Sequence, residues 1–284
     1  MSFLTRIAAC NQWRRDDFLP WYVAGERLGW VRRALAAELV ALNLGFAVRD
    51  ERLHWLAAPD DFTARGAALA AVCATLHERG QLPAPQHEPY PVTPAQREHA
   101  RFVIDRAYAP AFGCRAFGQH LNGLVYINEK IHLWVARRAP TRRHYPNLYD
   151  NLVGGGLPWG MTLRENLIKE CWEEAAIPRE LALRARPVGA VTYCHETSSG
   201  LKPDTMYCYD LVLPATFVPR CNDGEVADFA LWPLTQVAET VRDRDDFKPN
   251  CNLVVIDCLL RHGWIDPEDP DYLELVWRLR TPLP

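Results

Sequence analysis

No Cys-x-x-Cys pair occurs anywhere in the chain, although it has nine cysteines, at 10, 73, 114, 171, 194, 208, 221, 251 and 258. An odd number without paired spacing argues against a disulfide framework or a zinc knuckle. These residues are expected to be small, mostly buried thiols kept reduced, so a cytoplasmic protein is expected. A leader peptide is not expected either, because charges follow the first few apolar residues at once. The most apolar run, GAALAAVCATL at 66–76, falls well short of the ~20 residues that a membrane-spanning helix needs. Charge of one sign is also lacking: 35 acidic residues against 32 basic ones leave −3. No general positive field exists to hold nucleic acid or an anionic membrane.

The 284 residues, 49% hydrophobic and 24% charged, have the composition of a folded protein of one large or two modest domains. Five prolines, Pro83, Pro85, Pro89, Pro91 and Pro94, crowd one short stretch and mark an extended connector. The expected division is a small α+β N-terminal domain over 1–94 and a second domain over 95–284. In the first, GWVRRALAAELVALNL and ARGAALAAVCATLHERG have helical spacing, and FAVRDERLHWL alternates like a hairpin. The second is expected to begin with a helix at 95–108. HLNGLVYI and KIHLWVARR then read as strands parted by Asn128-Glu129, and AVTYCHE and MYCYDLVLP as two more. The stretch at 228–243 runs from strand into helix, and 251–263 and 269–280 read as helices. Such alternation predicts a layered α/β domain.

Between 154 and 178 the residues carry chemistry. Gly154, Gly155 and Gly156 precede Thr162 and Glu165, which form a capping box and place a helix start near Leu163; Pro178 stops it. At 100° per residue Glu170, Glu173 and Glu174 share one edge, whereas Leu167, Ile168, Cys171, Trp172 and Ala175 take another. Helix spacing alone leaves two readings open. The glutamates are a solvated face, or they are an oxygen-rich site for a divalent cation beside a glycine loop that admits phosphate.

This stretch resembles the signature of Nudix hydrolases, G-x5-E-x7-R-E-U-x-E-E-x-G-U with U aliphatic. Gly155, Glu170, Glu173, Glu174 and Ile177 match it. Lys169 stands at the arginine, Met161 at the first glutamate, Cys171 at an aliphatic position and Ala176 at the glycine. Lys169 keeps the charge but loses the two-pronged guanidinium, and Ala176 is strained if the helix exits through a left-handed residue. Glu165 is a conceivable substitute for the absent carboxylate, but capping explains it more simply.

HLNGLVYI, LWVARRAPTRRHYPNLYDNLVGGG, YDLVLP, NDGEVADFALW and FKPNCNLVVIDCLLRHG narrow the resemblance to a Nudix subfamily found alone and fused to thiamine pyrophosphokinase. FLPWYVAGERLGWV and EPYPV extend it weakly into the N-terminal domain. The resemblance implies a Nudix α/β/α sandwich and a pyrophosphohydrolase acting on thiamine diphosphate or its oxidised analogues, with Mg²⁺ or Mn²⁺. It also implies Glu170, Glu173, Glu174 and the carbonyl near Gly155 as metal ligands, supported by Gly154, Gly156 and Lys169. Glu225 matches a downstream acidic position, so the general base is Glu173 or Glu225, with an exposed turn carboxylate as the plain alternative for Glu225.

Arg137, Arg138, Arg142 and Arg143 are candidates for the outer phosphate. Trp159, Tyr193, Tyr207 and Tyr209 are candidates for the organic group. His195-Glu196 suggests a polar pair of structural use, and His120 and His144 take no role. The expected partner is a small-molecule diphosphate, with no nucleic acid and no membrane, and a homodimer is left open. Two other readings compete: hydrolysis of a nucleoside diphosphate derivative such as ADP-ribose, and a Nudix-fold binding module without turnover.

Overall fold

The computed structural model describes residues 2–284. Helix α1 (Phe3–Ala9) is capped by Ser2, whose Oγ accepts the Thr5 N–H. The next unit is built on two hairpins, β1 (Phe18–Val23) with β2 (Glu26–Arg32), and β3 (Phe46–Arg49) with β4 (Arg52–Trp55). In the second hairpin Asp50 and Glu51 both have positive φ, the backbone of a tight two-residue turn. The sheet order is β2-β1-β4-β3, with β1 and β4 parallel.

Helix α2 (Arg33–Ala41) begins later than the apolar spacing from Gly29 suggests, because 29–32 belong to β2. Gly29 suits a strand in close quarters: a Cβ there would lie 2.2 Å from the Phe112 carbonyl oxygen. Helix α3 (Phe62–Glu78) is capped by Asp61, and its chain leaves through Gly80 at φ +72°.

The helix expected at 95–108 does not form. The segment holds a 3-10 turn at Arg97–His99 and strand β6 (Phe102–Asp105), which pairs antiparallel with β5 (Pro89–Val92). Period two wins over period 3.6 because Phe102 and Ile104 enter the core while Val103 and Asp105, on the other face, are only half-buried. The Asp105 carboxylate then accepts backbone N–H groups from Gln86, His87 and Ala107. The hydrophobic core of this unit runs from Leu19 to Cys114, so it closes well beyond the proline-rich stretch.

Residues 116–278 form the second layer system. Strands β7 (Ala116–Ile127) and β8 (Lys130–Arg138) turn through Asn128 and Glu129, both at positive φ. Then come β9 (Tyr149–Asp150), β10 (Val153–Gly156), α4 (Leu163–Ala175), α5 (Arg179–Ala182), β11 (Arg186–Thr197), β12 (Gly200–Val212) and β13 (Val226–Pro233). Helices α6 (Leu234–Asp243), α7 (Pro249–Arg261) and α8 (Tyr272–Arg278) end the chain's regular structure. The sheet order is β11-β12-β7-β8-β13, with β10 on β7 and β9 on β8. Only β7 and β12 run parallel among these pairs.

Alternation along the strands supplies both faces of the sheet. Met206 and Cys208 of β12 pack with α1, α6, α7 and α8, whereas Tyr209 and Leu211 pack with Leu167, Cys171 and Ala175 of α4. The result is an α/β/α sandwich with a smaller α+β domain ahead of it. Helix α1 departs from that order, since Phe3 and Ile7 lie in the core around α7. No helix among the described residues is long and apolar enough to cross a membrane.

Candidate active site on the helix after the glycine strand

The start of α4 is built as its sequence requires. Thr162 Oγ1 accepts the Glu165 N–H at 3.2 Å, and Glu165 Oε2 accepts the Thr162 N–H at 2.9 Å. The helix leaves through Ala176 at φ 49° and ψ 33°, with the Ile177 N–H donating to the Cys171 carbonyl at 2.9 Å. That is a left-handed exit, which costs a residue with a Cβ about 1–2 kcal/mol. Leu167, Cys171 and Ala175 face the sheet, but Trp172, placed with them by helical spacing, is 56% exposed. It lies 100° round from Cys171, beyond the width of the buried stripe.

Helix and glycine strand are joined by the carboxylates themselves. The Gly154 N–H donates to Glu174 Oε2 at 2.7 Å. A Cβ on Gly155 would lie 2.4 Å from Glu170 Cδ, so only glycine lets that carboxylate press against the strand. The Gly156 carbonyl accepts from Asn166 Nδ2 at 2.9 Å, and Asn166 also donates to Gln119 Oε1. Lys169 Nζ reaches Glu173 Oε2 at 2.7 Å and Glu170 Oε1 at 3.2 Å.

The loop before β13 carries Glu225 to this seam. Asn222 ties that loop to the end of α4, its backbone N–H donating to the Glu173 carbonyl and its side chain to the Trp172 carbonyl. Glu225 pairs with Arg142. A small, partly enclosed recess is lined by Ala136, Arg138, Asp150, Asn151, Glu174, Glu225 and Val226.

Burial pushes the Glu174 carboxyl well above the usual range, and Asp150, Glu170 and Glu225 add to that, against the Gly154 N–H. Burial raises Glu170 as well, with Lys169 opposing and Glu173 and Glu225 adding. Glu174 has no cationic partner among the described residues, and Glu170 and Glu173 share the single Lys169; crowded carboxylates of this kind beside backbone oxygens are hard donors that fit Mg²⁺ or Mn²⁺. Among the described residues, no three of these glutamates bring their oxygens within 4.8 Å of one another; the two side-chain groups that do are elsewhere. In the first of them, His120, Asp150 and Cys251, Asp150 already holds Arg138 at 2.9 Å and Lys248 at 3.2 Å. In the second, Asp210, Cys258 and His262, Asp210 holds Arg261. Two cations in the one and a guanidinium in the other take the place of a metal.

The remaining candidates are dispersed. Arg138 spends its guanidinium on Asp150 and on the carbonyls of His144 and Tyr145, which folds the 139–148 loop. Arg137 faces Asp228 at 3.4 Å, and Arg143 is exposed. Trp159 packs its ring on Phe62, with centroids 5.7 Å apart. Tyr207 is half-buried, and Tyr209 and Tyr193 are core residues; the Tyr193 hydroxyl lies 2.6 Å from Asp204. Glu196 pairs with Arg32 at 2.6 Å. His120 is buried against Asn151, and burial lowers it to about 4.

Sequence reasoning missed Asp150, Asn151, Gln119 and Asn166. Asn166 lies inside the helix, and an amide in a helix interior, four residues before Glu170, was the available signal.

Residues 122–251 match the family profile described as NUDIX domain, and residues 2–116 match one described as Domain of unknown function (DUF4743). An Arabidopsis thaliana protein named Nudix hydrolase 24, chloroplastic, is 39% identical over 287 residues, covering 99% of this chain and 78% of its own. A second from the same plant, Nudix hydrolase 20, chloroplastic, is 38% identical over 294 residues, with the same shares. A Saccharomyces cerevisiae relative, Uncharacterized protein YJR142W, is 36% identical over 64% of this chain and 57% of its own. Relatives so named, matched across nearly the whole chain and joined to a carboxylate-lined glycine strand, establish that the protein belongs to the Nudix hydrolase family.

Proposed function

We propose that the chain is a cytosolic pyrophosphohydrolase that uses Mg²⁺ or Mn²⁺ to cleave the diphosphate of thiamine diphosphate or its oxidised analogues, releasing the monophosphate. The observation that carries the reaction class is the seam between β10 and α4. Glu174 is tied to the Gly154 N–H at 2.7 Å, and Glu170 presses on Gly155. Support for the thiamine class is the resemblance of the stretches flanking the signature, from HLNGLVYI to FKPNCNLVVIDCLLRHG.

Glu170, Glu173, Glu174 and the Gly155 carbonyl would hold the cation. When bound, it offsets charge on the phosphoryl oxygens and makes water acidic enough to attack at neutral pH. Gly154 fixes one oxygen of Glu174 and leaves the other outside that bond. Lys169 holds Glu173 on the outer flank, whereas Glu225 lines the recess with Glu174. The proton of the attacking water is therefore assigned to Glu225, with Arg142 restraining its side chain. No contact to the outer phosphate or the organic group is assigned, because Arg137 faces Asp228 and the Trp159 ring packs on Phe62.

The test is phosphate and monophosphate release, with Mg²⁺ and with Mn²⁺, from thiamine diphosphate, its oxo and oxy analogues, ADP-ribose and nucleoside triphosphates. Fastest cleavage of the thiamine compounds supports the proposal. Preference for ADP-ribose overturns the substrate class, and tight binding without cleavage overturns hydrolysis.

A further inference from the structure

Residues 157–161 carry the chain from β10 to α4; the Leu157 N–H still donates to the Phe117 carbonyl of β7 at 2.9 Å, and residues 158–161 are held from the N-terminal unit. The Trp159 N–H donates to the Pro89 carbonyl at 2.7 Å. Arg97 Nη2 donates to the carbonyls of Pro158 at 3.1 Å and Met161 at 2.8 Å. Phe62 of α3 packs on the Trp159 ring, and Tyr90 of β5 lies so close that a Cβ on Gly156 would sit 2.0 Å from its hydroxyl.

Arg97 is only 8% exposed. Burying a guanidinium is costly unless it is compensated; here both hydrogen bonds come from Nη2 and end on this one loop, Nη1 lies 3.8 Å from Glu98, and Nε has no partner. At 161 the family signature has a glutamate and this chain has methionine, yet the carbonyl that Arg97 grips is one any residue supplies.

We propose that the N-terminal unit is a positioning element of the hydrolase site, with Arg97 as its central residue. Its grip sets the crossing loop, and the loop sets how 154–156 meet Glu170 and Glu174. The inference rests on the hydrolase reading above and deepens it: the unit has a place in catalysis without touching the reacting atoms. Misplacement of such a seam by an ångström is enough to slow turnover.

Full-length Arg97→Ala, Arg97→Lys and Phe62→Ala proteins test it, through Mn²⁺ calorimetry without substrate, amide hydrogen exchange, and kcat and KM for whichever diphosphate the wild type cleaves. Arg97→Ala should lower Mn²⁺ affinity about ten-fold, by the usual effect of groups that orient ligands. It should lower kcat about 10–100-fold with KM nearly unchanged. Exchange should quicken at 157–162 and not in α7. Arg97→Lys should recover part of each effect, because an ammonium still donates to carbonyls. Phe62→Ala should shift the same readouts in the same direction, and it carries the test if Arg97→Ala does not fold.

Unchanged Mn²⁺ affinity and loop exchange in a folded Arg97→Ala protein overturn the inference, as does exchange quickened equally in α7. A wild type that neither binds Mn²⁺ nor cleaves any diphosphate overturns the hydrolase reading itself. An active wild type with an unaltered Arg97→Ala protein overturns this inference alone.

Discussion

Gly154 donates its backbone N–H to Glu174 Oε2 across 2.7 Å, so a strand amide fixes the orientation of a carboxylate that is 7% exposed. Glutamine at 174 keeps an oxygen for that bond and loses the charge. Glu174→Gln is expected to lower kcat by about three orders of magnitude or more if the residue binds the catalytic ion. Its melting temperature without metal should hold or rise, because the buried charge opposes folding. Thermal melts beside phosphate-release kinetics check both; unchanged turnover removes Glu174 from the site.

Gly155 is a steric requirement. A methyl group 2.4 Å from Glu170 Cδ displaces that carboxylate from the strand. Gly155→Ala should weaken Mn²⁺ binding and reduce kcat by about 10–100-fold. Calorimetry with Mn²⁺ reads the first directly, and wild-type affinity in the variant would remove the contact from the mechanism.

Ala176 closes α4 in a left-handed conformation. Replacing it with glycine removes the Cβ strain but adds freedom to the unfolded chain, for a net gain of about 0.5–1 kcal/mol. Urea denaturation should show a higher midpoint for Ala176→Gly with unchanged slope, and activity should stay at the wild-type level.

Asp210 is buried between β12 and α7, where burial pushes its pKa up and bonds from His262, Arg261 and Asn122 more than reverse that, leaving it at about 2. A folded pKa below the unfolded one means stability that is complete above pH 3.8 and lost as pH falls through about 2. The fall from 3.8 to about 2 corresponds to about 2 kcal/mol. Asp210→Asn should lower stability at pH 7 and flatten its dependence between these pH values, as measured by chemical denaturation at each pH.

Short-range patterns were readable wherever the chain met its own neighbours. The capping box at Thr162, the Asn128-Glu129 turn and the exits at Gly80 and Gly263 follow from local backbone and side-chain chemistry. The same reasoning failed at 95–108, where partners remote in sequence decide. Phe102 and Ile104 form a strand because Tyr90 and Val92 lie ready to pair with them. Trp159 is an aromatic residue beside the glycine loop, and nothing near it in sequence shows that Phe62 claims its ring.

The glycines before α4, read as a loop, form a strand on β7, whereas the sequence by itself determined the helix with its glutamate edge and the alternation that stacks a sheet between helices. These depend on interactions a few residues apart and on hydrophobic period. Tertiary structure alone decided which carboxylates desolvate, which arginines are already spent on partners, and that residues 62–97 grip the loop leading into α4. Burial and pairing are properties of surfaces brought together from distant parts of the chain, and no local pattern records them.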